Sequence, residues 1–478
     1  MEYSHVESHP EPSPDIPEKA RETSLRFSVW DACLYASMAG FGELYFIPLL
    51  VAINASNFLI GVFTGIPQLC IAFAQLGALV LVERYLVRKP IILAGASAQA
   101  LFVGCMLIAI ITQSKNPWLY IGFACGYYAS VGFTGPAWNS LMGDLTTADT
   151  RASYFGRRGG LSQLVLFLTM IAAGLILQHF DTAHRPFIGF GVIFAASFLS
   201  RSASVYALTR HYEVPYRKVK DAYFSIYQFV AKTPKSNFAH FVFFVSLMSL
   251  AVQVAAPFFA TYMLRDLGFS YIEYTISQGF YIVAQFIAMR RWGPFADKYG
   301  NRLVLRITSA IMPFIPIFWL FSRNYFYILA LQTLAGLTWG GWFLCTATFM
   351  FDAVTPPKRA RCAAYLNFFN CIGIFIGSLL GGYVSKFAPQ SLITGVITIV
   401  LISPLQFLFL LSGVLRLIIV FIFMPTVHEV RDVENGGFKD MFSMLTGVKH
   451  LPGLRYEPLH TLDTEEKEGE KKGEKEQK

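Results

Sequence analysis

One acid, Glu43, lies in an otherwise apolar and aromatic stretch, SMAGFGELYFIPLLV. About twenty residues of this character cross a bilayer as a helix, and an acid inside such a helix usually has a function. Small residues precede it on the same helix face: Ala32, Ala36, Ala39 and Gly40. This face is therefore predicted to contact protein or a cavity.

An acid held away from water can be neutral in one state and charged in another, as proton coupling requires. Glu43 is therefore the leading candidate for a proton-coupling site. Two other roles stay open, a counter-charge for a cationic substrate and a structural acid that is hydrogen-bonded or permanently protonated.

Two further segments carry polar side chains at helical spacing. The residues that share these faces are Thr64, Gln68 and Gln75 in the first segment, and Gln278, Tyr281 and Gln285 in the second. Unpaired amides facing lipid would be costly, so both faces are predicted to line a water-filled cavity or a seam between helix bundles. Hydrogen bonds that only hold the helices together are the alternative.

The composition indicates a polytopic helical membrane protein. Hydrophobic residues make up 54% of the 478 residues and charged residues only 14%, against about 25% charged in soluble domains. The seven cysteines form no CxxC pair, which suggests neither a disulfide framework nor a metal site. Neither a nucleotide-binding loop nor a nucleophile–base pair is evident, so we expect no enzyme and no cofactor.

Hydrophobic blocks predict an all-α membrane protein with twelve transmembrane helices, which we call spans 1 to 12. Their predicted limits are 28–53, 58–83, 90–112, 117–142, 153–178, 186–209, 238–264, 272–295, 302–321, 325–350, 360–386 and 396–424. The remaining segments are predicted as a disordered N-terminal tail (1–27), a linker with an interfacial helix (210–237) and a C-terminal tail (425–478). The linker divides an N-terminal six-helix bundle (28–209) from a C-terminal one (238–424).

Basic residues predict the orientation. One set of alternate loops contains twenty Lys and Arg residues and the other set only five. By the positive-inside rule the first set is cytoplasmic, and an even number of spans places both termini there. The net charge of +9 is therefore a topology signal rather than a sign of nucleic-acid binding. We expect a multi-pass protein of the cell (inner) membrane.

The two halves resemble each other in their loops. MGDLTTADTR follows span 4 and MFDAVTPPKR follows span 10, while ERYLVRK follows span 2 and DKYGNRL follows span 8. The charged residues that align are Asp144 with Asp352, Arg151 with Arg359, Glu83 with Asp297, and Arg88 with Arg302. Internal repeats of this kind are typical of secondary transporters.

The segment GPFADKYGNR resembles the signature loop between the second and third helices of each half in the major facilitator superfamily. The spans, the central loop and the Asp-to-Arg spacing fit as well, over roughly residues 28–424. WNSLMGDL followed by SYFGRR resembles a prokaryotic branch. In the N-terminal copy of the signature, Glu83 replaces the usual Asp and Leu86 stands where Gly is expected.

The resemblance implies a monomeric secondary active transporter in a lipid bilayer, moving a small organic solute by alternating access, with the proton as coupling ion. It also implies a cytoplasmic latch in which Asp297 holds Arg302 and the start of a neighbouring helix, span 11. Gly293, Lys298 and Gly300 complete that motif. A topogenic loop without a gating role is the alternative, and a receptor or assembly factor that has kept the fold is the rival function.

In the superfamily, spans 1, 4, 7 and 10 surround a central cavity. The substrate-cavity candidates on them are Tyr35, Tyr127, Tyr128, Trp138, Asn139, Gln253, Trp339 and Trp342, which could equally be packing residues. Arg201 and Arg416 lie near the cytoplasmic ends of spans 6 and 12 and are predicted to extend to the lipid headgroups, with contact to a substrate anion as the alternative. Asp31 is predicted to be interfacial.

Overall fold

The computed structural model describes residues 16–214, 236–354, 359–389, 391–394, 397–400, 403–431 and 433–434. The predicted interfacial helix of the linker and nearly all of the C-terminal tail lie outside these residues. Nine of the predicted spans correspond to single helices: Asn57–Tyr85, Lys89–Ile111, Pro117–Leu145, Ala148–Thr182, Pro186–Thr209, Tyr271–Tyr299, Tyr325–Ala353, Arg359–Val384 and Pro404–Phe423.

The other three predicted spans are interrupted helices among the described residues. Span 1 consists of Glu18–Phe41 and Phe46–Ala52 with the 3-10 turn Glu43–Tyr45 between them. Span 7 consists of Asn237–Gln253, Ala256–Thr261 and the π-helical turn Tyr262–Asp266. Span 9 consists of Asn301–Ile311 and Phe314–Phe318, and a 3-10 turn, Met424–Thr426, follows span 12.

Ten of the described helical segments are long and apolar enough to cross a membrane, so the chain is a multi-pass helical membrane protein. Spans 4 and 8 are outside this set although each has 29 residues. Span 8 carries charged residues along its length, among them Glu273, Arg290 and Asp297, which lower its mean hydropathy.

Span 1 begins at Glu18 rather than at residue 28, so the predicted disorder is wrong for residues 18–27. Residues 18–27 are helical because a polar side chain of this segment has a polar partner in the packed structure. Ser24 is buried and its hydroxyl accepts the backbone N–H of Tyr212 at 2.8 Å, beyond the end of span 6. A hydropathy pattern cannot recognise a helix end that packs in this way.

Span 12 begins at Pro404 rather than at residue 396. The strands Ser391–Thr394 and Ile397–Val400 precede it and pair antiparallel, in keeping with their β-branched residues. The side chain of Ser403 then caps the helix by accepting the N–H of Leu405 at 3.1 Å.

The two halves meet at one end of the bundle, which we call the closed end. There the Arg265 guanidinium of span 7 donates to the Asn57 side-chain oxygen at 3.1 Å and to the Ala55 carbonyl at 2.8 Å. The buried Tyr45 hydroxyl donates to the Met170 carbonyl at 2.7 Å and lies 2.8 Å from the Thr275 hydroxyl. These contacts tie spans 1 and 2 to spans 7 and 8.

The opposite end, which we call the open end, carries the signature loops. A cavity of about 740 Å³ lies there between spans 2 and 4 on one side and spans 10 and 11 on the other. Gln75 and Asn367, which line it, hydrogen-bond to each other across the seam of spans 2 and 11. The described part of the bundle is thus tightly packed at one end and hollow at the other.

Candidate functional site

Glu43 lies at the interruption of span 1. The first helix ends at Phe41, and the N–H of Gly42 still bonds to the Met38 carbonyl at 2.9 Å. A side chain on Gly42 would begin 2.5 Å from the hydroxyl oxygen of Ser197 in span 6, so any larger residue would force Ser197 to move. Interrupted helices at membrane depth occur where the backbone is buried in protein or lines a cavity.

Two tyrosines of span 4 hold the Glu43 carboxyl group. The Tyr127 hydroxyl donates to one carboxyl oxygen at 2.9 Å and the Tyr128 hydroxyl to the other at 3.0 Å. Among the described residues, no lysine, arginine or histidine forms an ion pair with Glu43. A carboxyl group bonded by neutral donors alone can be charged or protonated without leaving a cation unpaired.

Glu43 also lines a cavity of about 250 Å³, the central cavity, to which both halves contribute. Phe46, Thr64, Gln68 and Tyr128 line it from the N-terminal half. Gln253, Ala256 and Pro257 line it from span 7, at the break in that span. The two interrupted helices therefore face each other across the space beside the acid.

The predicted polar faces lie at several cavities. Thr64 and Gln68 line the central cavity and Gln75 lines the cavity at the open end. Gln278 and Tyr281 line a cavity of about 450 Å³, which we call the C-half cavity because all its lining residues except Ile47 belong to the C-terminal half. Gln285 lines none of these three cavities, and its backbone packs against the glycines of span 10.

The substrate-cavity candidates divide among neighbouring spaces rather than sharing one. Tyr35, Trp138 and Asn139 line a cavity of about 390 Å³ in the N-terminal half. Tyr128 lines the central cavity, Trp339 lines the C-half cavity, and Gln253 lines both the central and the C-half cavity. Tyr127 is buried in the core and reaches the site only through Glu43. Trp342 is buried against Phe244, with ring centroids 5.5 Å apart.

The predictions for Asp31 and the two arginines of spans 6 and 12 are wrong, because all three residues are buried. Arg201 donates to the Ser204 hydroxyl at 2.7 Å, and that hydroxyl donates to Asp31 at 2.7 Å. Arg158 adds a weaker contact to Asp31 at 3.5 Å. Arg416 donates to the Met312 carbonyl at 3.0 Å. Neighbouring helices hold these groups, so none extends to the headgroups.

In the N-terminal half, the signature residues bind within the half. Arg88 pairs with Asp144 at 2.7 Å. Glu213, beyond span 6, accepts the backbone N–H groups of Arg88 and Lys89 at 3.1 and 2.5 Å, where a carboxylate also complements the helix dipole. The side chain of Glu83 lies outside what the structure describes.

The C-terminal half uses different side chains at its signature loop. Asp297 does not pair with Arg302 among the described contacts, so the predicted latch is not formed in this structure and stays a prediction for the other state. Arg431, beyond span 12, lies 3.9 Å from Asp297 and 3.2 Å from Asp352. Glu429 accepts the N–H of Arg302 at 2.7 Å.

Lys298 also contacts the segment beyond span 12. Its ammonium pairs with Glu434 at 3.3 Å. Glu429, Arg431 and Glu434, all beyond span 12, therefore hold the signature loop of the C-terminal half in this structure.

Arg151 and Arg359 have the same geometry in the two halves. Each guanidinium turns back to the end of the preceding helix and donates to a carbonyl eight residues earlier, at Gly143 and at Phe351, both at 2.9 Å. Among the described contacts, neither arginine pairs with the aspartate that precedes it in its own copy of the sequence repeat. These arginines cap helix ends, where a cation is favoured.

Glu213 and Glu429 are the functional residues that the sequence reasoning misses. Each lies just beyond the sixth helix of its half and caps the start of the third. The sequence does contain a signal, a short repeat with His-Tyr-Glu-Val at 211–214 and His-Glu-Val at 428–430. Its first copy lies in the predicted linker and its second in the predicted tail, so neither is compared with the helices that it caps.

Gly300→Ala is expected to destabilise the protein by about 1–3 kcal/mol. Gly300 has φ +89°, and a Cβ there would lie 2.3 Å from the Glu429 carboxylate that caps the next helix. The check is the unfolding midpoint of the purified protein, with Gly293→Ala as control, since the nearest atom to a Cβ there is 4.0 Å away. Equal midpoints for the two variants would contradict this role of Glu429.

Comparison with known proteins gives the same fold. The model of the Major Facilitator Superfamily matches residues 32–246 and 238–452. The efflux pump azaK of Aspergillus niger is 32% identical over 107 residues, which are 22% of this chain and 23% of the pump, so the match spans under a quarter of that relative.

Among solved structures, the nucleoside transporter NupG has a TM-score of 0.62 at 16% identity, covering 85% of this chain and 98% of NupG. A bacterial homologue of the human lysosomal transporter Spinster, in an inward-facing and occupied conformation, has a TM-score of 0.61 at 15% identity, covering 78% of this chain and 83% of the homologue. At these identities the likeness concerns the fold alone.

Proposed function

Since the chain belongs to the Major Facilitator Superfamily, a family of transporters and not of enzymes, we propose that it is a secondary active transporter of a small organic solute. The observation that carries the proposal is the position of Glu43. It lies at a helix break and lines a cavity that both halves share. An intramembrane acid at such a place is a functional site by default.

Transport is proposed to proceed by alternating access between two six-helix bundles, 28–209 and 238–424, together forming twelve spans. The contrast between the packed closed end and the cavity of about 740 Å³ at the open end supports this proposal. Because the basic loops favour a cytoplasmic position for the open end, we propose that the structure is an inward-open state. The protein is proposed to be a monomer of the cell membrane with both termini cytoplasmic.

The proton is proposed as coupling ion, without a cofactor, and Glu43 as the group that carries it. When charged, the carboxylate accepts a hydrogen bond from each of Tyr127 and Tyr128. When protonated, it must donate its own hydrogen, so one of these bonds changes or the hydrogen points into the central cavity. Protonation thereby alters the contacts between span 4 and the break in span 1 and biases the equilibrium between states.

The signature residues are proposed to form a cytoplasmic gate that closes in the other state. Asp297 is 82% exposed and Asp144 41% exposed here, so both carboxylates are accessible to the opposite half. Arg359 already lines the cavity between the halves at the open end. Closing this end would bring these charges together, and their attraction would offset the separation of the two halves at the closed end.

The test is a comparison of small molecules inside cells and in their medium, with and without the protein. At least one organic compound is expected to change its distribution, and it should show counterflow into proteoliposomes that contain the purified protein. Enrichment inside cells indicates uptake, and enrichment in the medium indicates export. Neither a redistributed compound nor counterflow would contradict the proposal and favour a receptor or assembly factor with this fold.

A further inference from the structure

The C-half cavity has the size and lining of a small-molecule site. Its volume is about 450 Å³, within the range of about 300–1,000 Å³ typical of ligand pockets. Tyr281, Trp319 and Trp339 supply ring faces, and Gln278 and Asn370 supply amides. It adjoins the central cavity, because both are lined by Ile47, Gln253 and Ala256. A solute in it would therefore be next to the space beside Glu43.

Arg416 gives this cavity an uncompensated positive charge. The residue lines the cavity although it is only 2% exposed, and its guanidinium donates to the neutral Met312 carbonyl. Its Nε has no hydrogen-bond partner, and neither has the buried amide oxygen of Asn370 in the same wall. None of the described residues that line the cavity is acidic.

The other half shows what such an arginine normally requires. Arg201 lies in the corresponding helix of the N-terminal half and is joined to Asp31 through the Ser204 hydroxyl. Asp31 belongs to span 1, the first helix of that half. The corresponding first helix of the C-terminal half, Asn237–Gln253 of span 7, contains no acid. One half therefore balances its buried arginine internally, and the other lacks the negative charge.

We infer that Arg416 binds the carboxylate of an organic anion whose ring or apolar body packs on the aromatic wall of the C-half cavity. A buried charge without a partner is unfavourable, and a planar guanidinium matches a carboxylate with two parallel hydrogen bonds. This inference rests on the proposed function and names its substrate class. A small inorganic anion offers the same charge, so the test includes one.

The test measures the thermal stability of the purified full-length chain with sodium benzoate, benzamide or sodium chloride, at equal ionic strength. Benzoate is expected to raise the unfolding midpoint more than its neutral amide or chloride does. In Arg416→Gln the preference for benzoate should vanish, and the apparent affinity for benzoate should be at least about tenfold weaker than that of the unmodified chain. Arg185→Gln, which removes an exposed arginine, is the control and should keep the preference.

Arg416→Met separates binding from a structural role. Without ligand its unfolding midpoint should be no lower than that of the unmodified chain, because a buried charge that lacks an acid is replaced by an apolar side chain without loss. A clear fall of that midpoint would overturn the inference. So would equal effects of benzoate and benzamide, a preference that survives in Arg416→Gln, or chloride acting as strongly as benzoate.

Failure of this inference is distinguishable from failure of the proposed function. A benzoate preference that depends on Arg416, together with no redistributed compound in cells, would contradict transport and leave the anion site standing. A transported compound that is neutral or cationic, without any benzoate preference, would contradict the anion site and leave transport standing.

Discussion

Glu43→Gln is expected to abolish uphill accumulation of the solute while exchange of solute across the membrane continues. Glutamine has nearly the shape of glutamate and its oxygen can still accept from Tyr127 or Tyr128, so the break in span 1 should persist. It cannot take up or release a proton, so a pH gradient no longer drives transport. Proteoliposomes with an imposed pH gradient measure accumulation, and the same vesicles without a gradient measure exchange.

The matched control is Glu18→Gln, which removes an exposed acid from the first turn of the same span. It should leave both accumulation and exchange unchanged. Undiminished accumulation in Glu43→Gln would remove this residue from the coupling role. Loss of exchange together with accumulation would instead indicate that the charge of Glu43 is needed for the structure or for substrate contact.

Gly61→Val is expected to slow transport strongly by preventing the closed end from closing. A Cβ at Gly61 would lie 2.5 Å from the Ser378 carbonyl oxygen and 3.0 Å from the Cα of Gly382, so the backbones of spans 2 and 11 would have to separate. Overpacking of this kind costs about 1–3 kcal/mol, which corresponds to about a 5- to 150-fold change in the equilibrium between states. The initial rate of solute uptake measures the effect.

Gly77→Val on the same span is the control, because nothing described lies within 4 Å of a Cβ there. Cysteine accessibility at Asn57 reports the state directly, and it should rise in Gly61→Val and not in Gly77→Val. Equal transport rates in the two glycine variants would show that the contact between spans 2 and 11 does not limit the conformational change.

The sequence predicted the class of this protein well. The multi-pass helical fold and the superfamily are confirmed. Most helix limits agree within a few residues, and for span 6 the predicted 186–209 is the observed Pro186–Thr209. Hydropathy and basic loops are enough to predict this, because whether a segment crosses the membrane, and in which direction, depends on its own apolar length and on the charges at its own ends.

The interruption at Glu43 was not predictable in the same way. The stretch around it is apolar and has the pattern of one continuous helix. The break depends on Gly40 and Gly42, where a side chain would collide with Thr169 and Ser197 of two other helices. Only the packed structure shows these contacts. The sequence pattern of one helix therefore predicts that the acid lies in the membrane, but it does not predict the turn on which the acid lies.

The buried arginines show the same limit. The position of Arg201 and Arg416 along one helix predicts extension to the headgroups. Instead, Asp31 holds Arg201 through the Ser204 hydroxyl, and the Met312 carbonyl holds Arg416. For the signature loop of the C-terminal half, the sequence likewise predicts pairing between neighbouring charges, whereas Arg431 from beyond span 12 reaches its acids. Partners distant in sequence decide each case.

Reversible locking of the closed end tests the central claim, that the two halves must separate there for each transport cycle. The test introduces Phe58→Cys and Gly382→Cys together into a chain whose seven native cysteines are replaced. The two positions are close, because a Cβ on Gly382 would lie 3.2 Å from the Cα of Phe58. Either substitution alone is the control for oxidation. We predict that forming the disulfide stops transport of the compound identified in cells and that reduction restores it, whereas undiminished accumulation by the disulfide-locked protein would contradict alternating access.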